Sequence, residues 1–257
     1  MSKNRLEHCP ARVENYVKYR PSYPQRLIDF LYTEGGFSRE SVIADIGSGT
    51  GLFTRLLLER GSRVIAVEPD NIMRTIAERL LGDEFQRFVS IMGTAENTTL
   101  PDSSVNHIVC AQSFHWFDLE KCKYEFVRIL KPNGTVTIIR NKRVVESDAF
   151  SLAYEQLLQR CTLKLEKRQL DQISETELSK FFGSECYSVI SLPNQQVLDQ
   201  DGIKGRFLSD DCIPVLDEEG YNETIIELGQ LFDQFNQSGK VTLRYETEAY
   251  AGRFNIA

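Results

Sequence analysis

Residues 42–51 read Val42-Ile43-Ala44-Asp45-Ile46-Gly47-Ser48-Gly49-Thr50-Gly51, an apolar run that breaks into three alternating glycines and then into the helical pattern Leu52 to Arg60. A buried strand that turns at once into a helix needs unrestricted backbone and no Cβ in the way, which Gly47, Gly49 and Gly51 supply. The bare backbone of such a turn can lie flat against a small-molecule cofactor. The spacing, acid-x-Gly-x-Gly-x-Gly, is one residue tighter than the dinucleotide fingerprint, and Asp45 precedes it within the strand, which argues against a pyrophosphate in the turn. Turns of this kind also close strands for purely structural reasons.

Working outward, four runs are continuously apolar, as strands buried on both faces must be: Val42 to Ile46, Val64 to Val67, Val105 to Ala111 and Val136 to Ile139, with a weaker one at Phe88 to Met92. Between them Ile72, Met73, Ile76, Ala77 and Leu80, and then Leu119, Cys122, Phe126, Ile129 and Leu130, recur at helical spacing. Tyr23-Pro24 opens an earlier helix that Gly35-Gly36 stops. Strands alternating with helices from Ser41 to about Arg140 predict a doubly wound α/β fold around a mostly parallel sheet.

After Arg140 the pattern changes. Phe150 to Leu165 carries the stripe of a long amphipathic helix, and Ser174 with Glu177 forms a capping box ahead of a second helix ending near Phe182. Cys186 to Leu192 is a strand candidate, Ile203 to Phe207 and Ile225 to Phe235 are helical, and Val241, Leu243 and Tyr245 alternate with polar residues as in a half-buried strand. The reading is one domain over residues 1–257, with a cofactor-binding core at 41–141, an amino-terminal lid at 12–24 and a helical cap inserted near the C-terminus at about 199–238.

Composition narrows the class. At 257 residues, 41% hydrophobic and 26% charged, the chain has the balance of an ordinary globule. No apolar stretch is long enough to cross a bilayer and the first residues lack a leader's apolar core, so the expected location is cytoplasmic, without a membrane partner. The net charge of −7 disfavours a nucleic-acid substrate. The densest short basic groups, Arg140, Lys142 and Arg143, then Lys164, Lys167 and Arg168, read as solvated surface or as anion sites should the substrate be acidic. The six cysteines show no Cys-x-x-Cys pairing and the three histidines do not cluster with them, so no metal is expected.

The second apolar strand ends on Glu68-Pro69-Asp70, and an acid there is placed to accept both hydroxyls of a ribose. Downstream follow Gly93-Thr94-Ala95-Glu96, then Gln112-Ser113-Phe114-His115-Trp116-Phe117, then Arg128 to Gly134 ahead of a further strand. This ordered set resembles the class I S-adenosylmethionine-dependent methyltransferases over about residues 12–141. Tyr16 to Pro24, Phe114 to Phe117 and the segment Val241 to Phe254 resemble a narrower group, the trans-aconitate-methyltransferase-like enzymes that act on small molecules.

The resemblance implies a seven-stranded Rossmann-like sheet and S-adenosylmethionine as cofactor. Its methionine part would lie over Asp45, Gly47, Ser48, Gly49 and Gly51, flanked by Gln112 and Ser113; Glu68 with Pro69 would take the ribose, and Met73, Thr94, Ala95 and Glu96 the adenine. Many relatives carry aspartate where this chain has Thr94. On the acceptor side stand Tyr16, Tyr19, Arg20, Tyr23, Phe114, Trp116 and Arg140, with Tyr19 and Arg20 positioning an acid. His115, titrating near neutrality, is the candidate base for a hydroxyl or amine. Tyrosines beside prolines can equally anchor a terminus, and an aromatic strand exit can be core. The expected reaction is O-methylation of a carboxylate or hydroxyl on a small molecule, by a monomer or homodimer. The alternatives are a nicotinamide-dependent oxidoreductase and a non-catalytic cofactor-binding partner protein.

Overall fold

The computed structural model describes residues 10–163, 174–183, 187–210, 213, 214, 216 and 219–254. The chain divides into two compact units. One, the sheet unit, is Ser22–Asn141, Asp171–Leu192 and Thr247–Ala257; the other, the helical unit, is Met1–Pro21, Lys142–Leu170 and Pro193–Glu246.

In the sheet unit, β1 (Val42–Ile46), β2 (Arg63–Val67), β3 (Phe88–Ile91), β4 (Val105–Ala111) and β5 (Leu130–Arg143, to Asn141 here) run parallel, and β6 (Tyr187–Leu198) and β7 (Val241–Gly252) complete the order β3-β2-β1-β4-β5-β7-β6. The side chain of Arg140 meets Glu248 and that of Asn141 meets Thr247, numbers rising on one strand as they fall on the other, so β7 runs antiparallel to β5. The connecting helices are α3 (Leu52–Glu59), α4 (Asn71–Leu81) and α5 (Leu119–Ile129), with α2 (Gln25–Thr33) before the sheet and α7 (Glu175–Phe182) after it.

The unbroken apolar strands are explained by two cores, one on each face. Ile43, Val64, Val109 and Ile139 pack with α2 and α3, while their neighbours Ala44, Ile65, Ile108 and Ile138 pack with α5 and α7. Ser174 and Glu177 cap α7 reciprocally, as expected. Cys110 and Cys122 are buried free thiols.

The helical unit contains α1 (Pro10–Tyr19), α6 (Ala149–Leu163), α8 (Gln200–Leu208) and α9 (Tyr221–Phe235). Its core joins Phe150, Tyr154, Leu157, Phe207, Leu228 and Phe232 to Val241, Leu243 and Tyr245. The segment read as a lid is therefore mostly helix α1, whose Tyr19 ring fills the space a side chain at Gly205 of α8 would need. Lys164, Lys167, Arg168, Cys9, Cys186, Cys212 and His8 lie outside the described residues. Among the described residues no helix is long and apolar enough to cross a membrane, and no His, Cys, Asp and Glu cluster could hold a metal.

Candidate cofactor site

The sheet order reverses direction between β1 and β4, and both strands end on the same side, so their carboxyl ends frame a crevice of the kind where open α/β sheets take ligands. Gly47, Gly49 and Gly51 all adopt left-handed backbone, with φ of 69°, 57° and 82°. A Cβ at Gly47 would stand 2.6 Å from that of Ser113, whose hydroxyl donates to the Ile46 carbonyl at 2.6 Å and so locks the exit of β4 against that of β1. Gln112, just before it, is itself left-handed at φ 59°, and its side-chain oxygen accepts from the Asn141 N–H at 3.2 Å.

Pairing of β1 with β2 brings the second acid to the turn. The N–H groups of Gly47 and Ser48 bond the Val67 carbonyl at 2.8 and 3.3 Å, and the next residue, Glu68, is buried. One oxygen of its carboxylate accepts the Gly49 N–H at 2.8 Å and the other the Asp70 N–H at 2.9 Å. Burial raises its pKa above the ordinary glutamate value against the lowering effect of those two N–H groups. Each oxygen has two lone pairs, so one acceptor position per oxygen remains. Asp70 caps α4 by accepting from Ile72 and Met73.

Asp45 is fully buried in β1. One oxygen accepts the Thr54 hydroxyl at 2.6 Å; the other, Oδ1, is buried without a hydrogen-bond partner among the described residues, as is the Ser48 hydroxyl. Burial pushes the Asp45 carboxyl up to about 7, and the Glu68 charge adds to the rise while Thr54 opposes it. An orphaned buried carboxylate oxygen beside a side-chain-free turn fits a ligand that brings a cation and hydroxyl donors.

Residues 44–138 match the methyltransferase-domain family. Methyltransferases of this family take their methyl group from S-adenosylmethionine, whose ammonium and ribose diol suit Asp45 and Glu68. The chain is 36% identical to an uncharacterized methyltransferase of Mycobacterium tuberculosis over 52% of its own length and 51% of the relative's, so it spans about half the length of that relative. It is 27% identical over 93% of its length to an uncharacterized methyltransferase of Schizosaccharomyces pombe, covering 94% of that protein. In fold it is similar to a solved structure described as a candidate type II methyltransferase from Anaeromyxobacter dehalogenans, with TM-score 0.67 and 20% identity over 91% of this chain and 98% of that one.

Around the glycine turn, Met73 and Ala95 are buried, whereas Pro69 and Thr94 are exposed. The Thr94 hydroxyl accepts the Asn97 N–H at 3.2 Å and closes the turn 94–97, and Glu96 accepts the Asp118 N–H at 2.9 Å. Both side chains thus shape the loop that the adenine was expected to meet.

The acceptor-side expectations fare differently. Phe114 is not a pocket wall: it is buried against Phe181, ring centroids 4.9 Å apart, as core. Trp116 is 70% exposed, and half-buried His115 stands beside it at 4.9 Å in the short 3-10 turn Phe114–Trp116. Arg140 does not await an acidic substrate; its charge is met by Glu248, and Tyr250 donates to the same carboxylate at 2.6 Å. Tyr23 packs edge-on against Phe53 in the sheet unit. Tyr16, Tyr19 and Arg20 belong to the helical unit, where the Arg20 guanidinium lies over the Tyr16 ring and donates to the Ser209 carbonyl at 3.0 Å.

Thr54, which holds Asp45, escaped the sequence reading. Its signal was a hydroxyl inside the apolar stripe of α3, one turn beyond the glycines. A cleft of about 350 Å³ lined by Gly36, Glu40, His107, Asn133 and Arg253 lies at the opposite, amino-terminal end of β1 and β4. There His107 is packed: its ring stacks on Phe37 and its Nδ1 pairs with the Thr135 hydroxyl at 2.7 Å.

Proposed function

We propose that the protein transfers the methyl group of S-adenosylmethionine to an oxygen of a small molecule, a carboxylate or a hydroxyl. The observation that carries the reading is the Glu68 carboxylate, fixed by the N–H groups of Gly49 and Asp70 with an acceptor position left on each oxygen. The cofactor supplies a methyl group activated by its sulfonium. The chain's own part is placement: Glu68 takes the ribose hydroxyls, Asp45 and the bare turn receive the methionine end, and Ser113 holds the two strand exits together so that donor and nucleophile meet at near-attack distance. Excluding water leaves the nucleophile unsolvated. A carboxylate needs no base, whereas a hydroxyl would use His115. The net charge of −7 supports a small molecule over a nucleic acid.

Incubation with methyl-labelled S-adenosylmethionine and a panel of carboxylic acids and phenols tests this. Label should appear in a low-molecular-weight ester or ether. S-Adenosylhomocysteine binding without transfer to any small molecule, but with transfer to protein or nucleic acid, would overturn the acceptor class.

A further inference from the structure

The helical unit buries a positive charge that no carboxylate among the described residues meets at ion-pair distance. Arg206 of α8 is only 2% exposed, yet no carboxylate among the described residues comes within ion-pair distance of its guanidinium. Among the described residues its single side-chain hydrogen bond runs from Nη1 to the Ser209 hydroxyl at 3.3 Å, and Nε is buried with no partner among them. The side of the guanidinium formed by Nε and Nη2, two parallel N–H groups, is therefore unused. A buried guanidinium left this way is costly unless something meets it.

Two further observations converge on the same place. Arg20, which donates to the carbonyl of that same Ser209, also has a buried Nε without a partner among the described residues. The Tyr154 hydroxyl, on a residue 1% exposed, has no partner among the described residues either. It is close enough to Arg206 for the guanidinium to act on its ionisation, and its ring packs on Phe207 at 5.7 Å. The other charges facing Arg206 are Asp210, which attracts it, and Arg143, which is held by Glu155 at 2.7 Å; Tyr245 also faces it, its hydroxyl spent on Gln196 at 2.8 Å.

We propose that Arg206, Arg20 and Tyr154 bind the carboxylate of a small organic acid within the helical unit. Parallel N–H groups match the two oxygens of a planar carboxylate, and a neutral tyrosine hydroxyl adds a third donor. The aromatic rings of Tyr154, Phe207 and Tyr245 suit an organic body. Asp210 and Glu155 nearby favour a single negative charge over the two of phosphate. As the anchor of an acid acceptor this site rests on the methyl-transfer reading above; as a binding site it does not.

The test is calorimetry on the full chain without cofactor, using the monoanions butyrate and benzoate, their uncharged amides, and inorganic phosphate. The acids bind and the amides and phosphate do not. Arg206→Lys, which keeps the charge and loses the fork, weakens binding of the acids by about tenfold or more, and Tyr154→Phe by several-fold. S-Adenosylhomocysteine binding, measured separately, stays at the wild-type value in both variants, so a failed cofactor site and a failed acid site give different results. Without any acid present, Arg206→Met holds or raises Tm, because it removes an unpaired buried charge. Equal binding of acids and amides, phosphate binding as tight as that of the acids, wild-type affinity in Arg206→Lys, or a fall of several degrees in the Tm of Arg206→Met each overturns the proposal.

Discussion

The carboxylate of Glu68 accepts the backbone N–H of Gly49 at 2.8 Å, across nineteen residues of chain. The acid at the end of β2 and the glycine turn at the end of β1 are thus one structural unit before any ligand arrives. Its second oxygen is pinned by the N–H of Asp70, the residue that caps α4. A side chain held at both oxygens does not search for its ligand.

Glu68→Ala is expected to weaken S-adenosylhomocysteine binding by about 2–3 kcal/mol, the scale of hydrogen bonds to a charged group. It should also lower stability, since two N–H groups lose their acceptor. Calorimetry on the folded variant checks the first, and unchanged affinity would remove Glu68 from the site.

Asp45 makes stability depend on pH. Its folded pKa of about 7 lies above the unfolded value near 3.9, so between those limits the folded state holds a proton that the unfolded chain has released. The contribution is fully present below about pH 4 and is lost as pH rises through 7, by an amount of order 4 kcal/mol at most. Urea denaturation at pH 5 and pH 8 should show a steeper decline in wild type than in Asp45→Asn. If the cofactor's ammonium meets this carboxylate, binding near pH 6 should also release a proton, read as a dependence of binding enthalpy on buffer, and Asp45→Asn should abolish it.

Gly47→Ala combines a left-handed backbone, which costs an L-residue about 1–2 kcal/mol, with a Cβ 2.6 Å from Ser113. We expect a loss of about 2–4 kcal/mol by chemical denaturation, along with weaker cofactor binding. A variant as stable as wild type would show that the β1 and β4 exits are not locked together.

His115 discriminates between acceptors. With a carboxylate as nucleophile, His115→Ala should keep kcat within a few-fold of wild type. With a hydroxyl, kcat should fall by roughly 10²–10⁴ and wild-type activity should decline at acid pH as the imidazole gains a proton. A large loss on a carboxylate acceptor would contradict the assignment of His115 as a base.

Much of the sheet was legible because its determinants are local. Alternating glycines can be read as a strand-to-helix turn from backbone sterics alone, and continuous apolar runs report strands covered on both faces. The capping box of Ser174 and Glu177 needs only four residues to be recognised. Strand lengths were less legible. The sequence suggested Val136 to Ile139 where β5 spans Leu130–Arg143, because its polar ends are held in the sheet by partners distant in the chain, such as Thr247 on Asn141.

What the sequence determined by itself, then, is the βα core and the identities of Asp45 and Glu68 as the acids that end its first two strands, since periodicity and turn chemistry act over a few residues. Tertiary structure alone decided which polar side chains are already satisfied. Arg140 looked available and is bound to Glu248, 108 residues away; Arg206, on which the sequence offered no reading, is buried with no carboxylate among the described residues at ion-pair distance. Charge compensation depends on what long-range packing places within about 4 Å and on how much water it removes, and neither is encoded in local pattern.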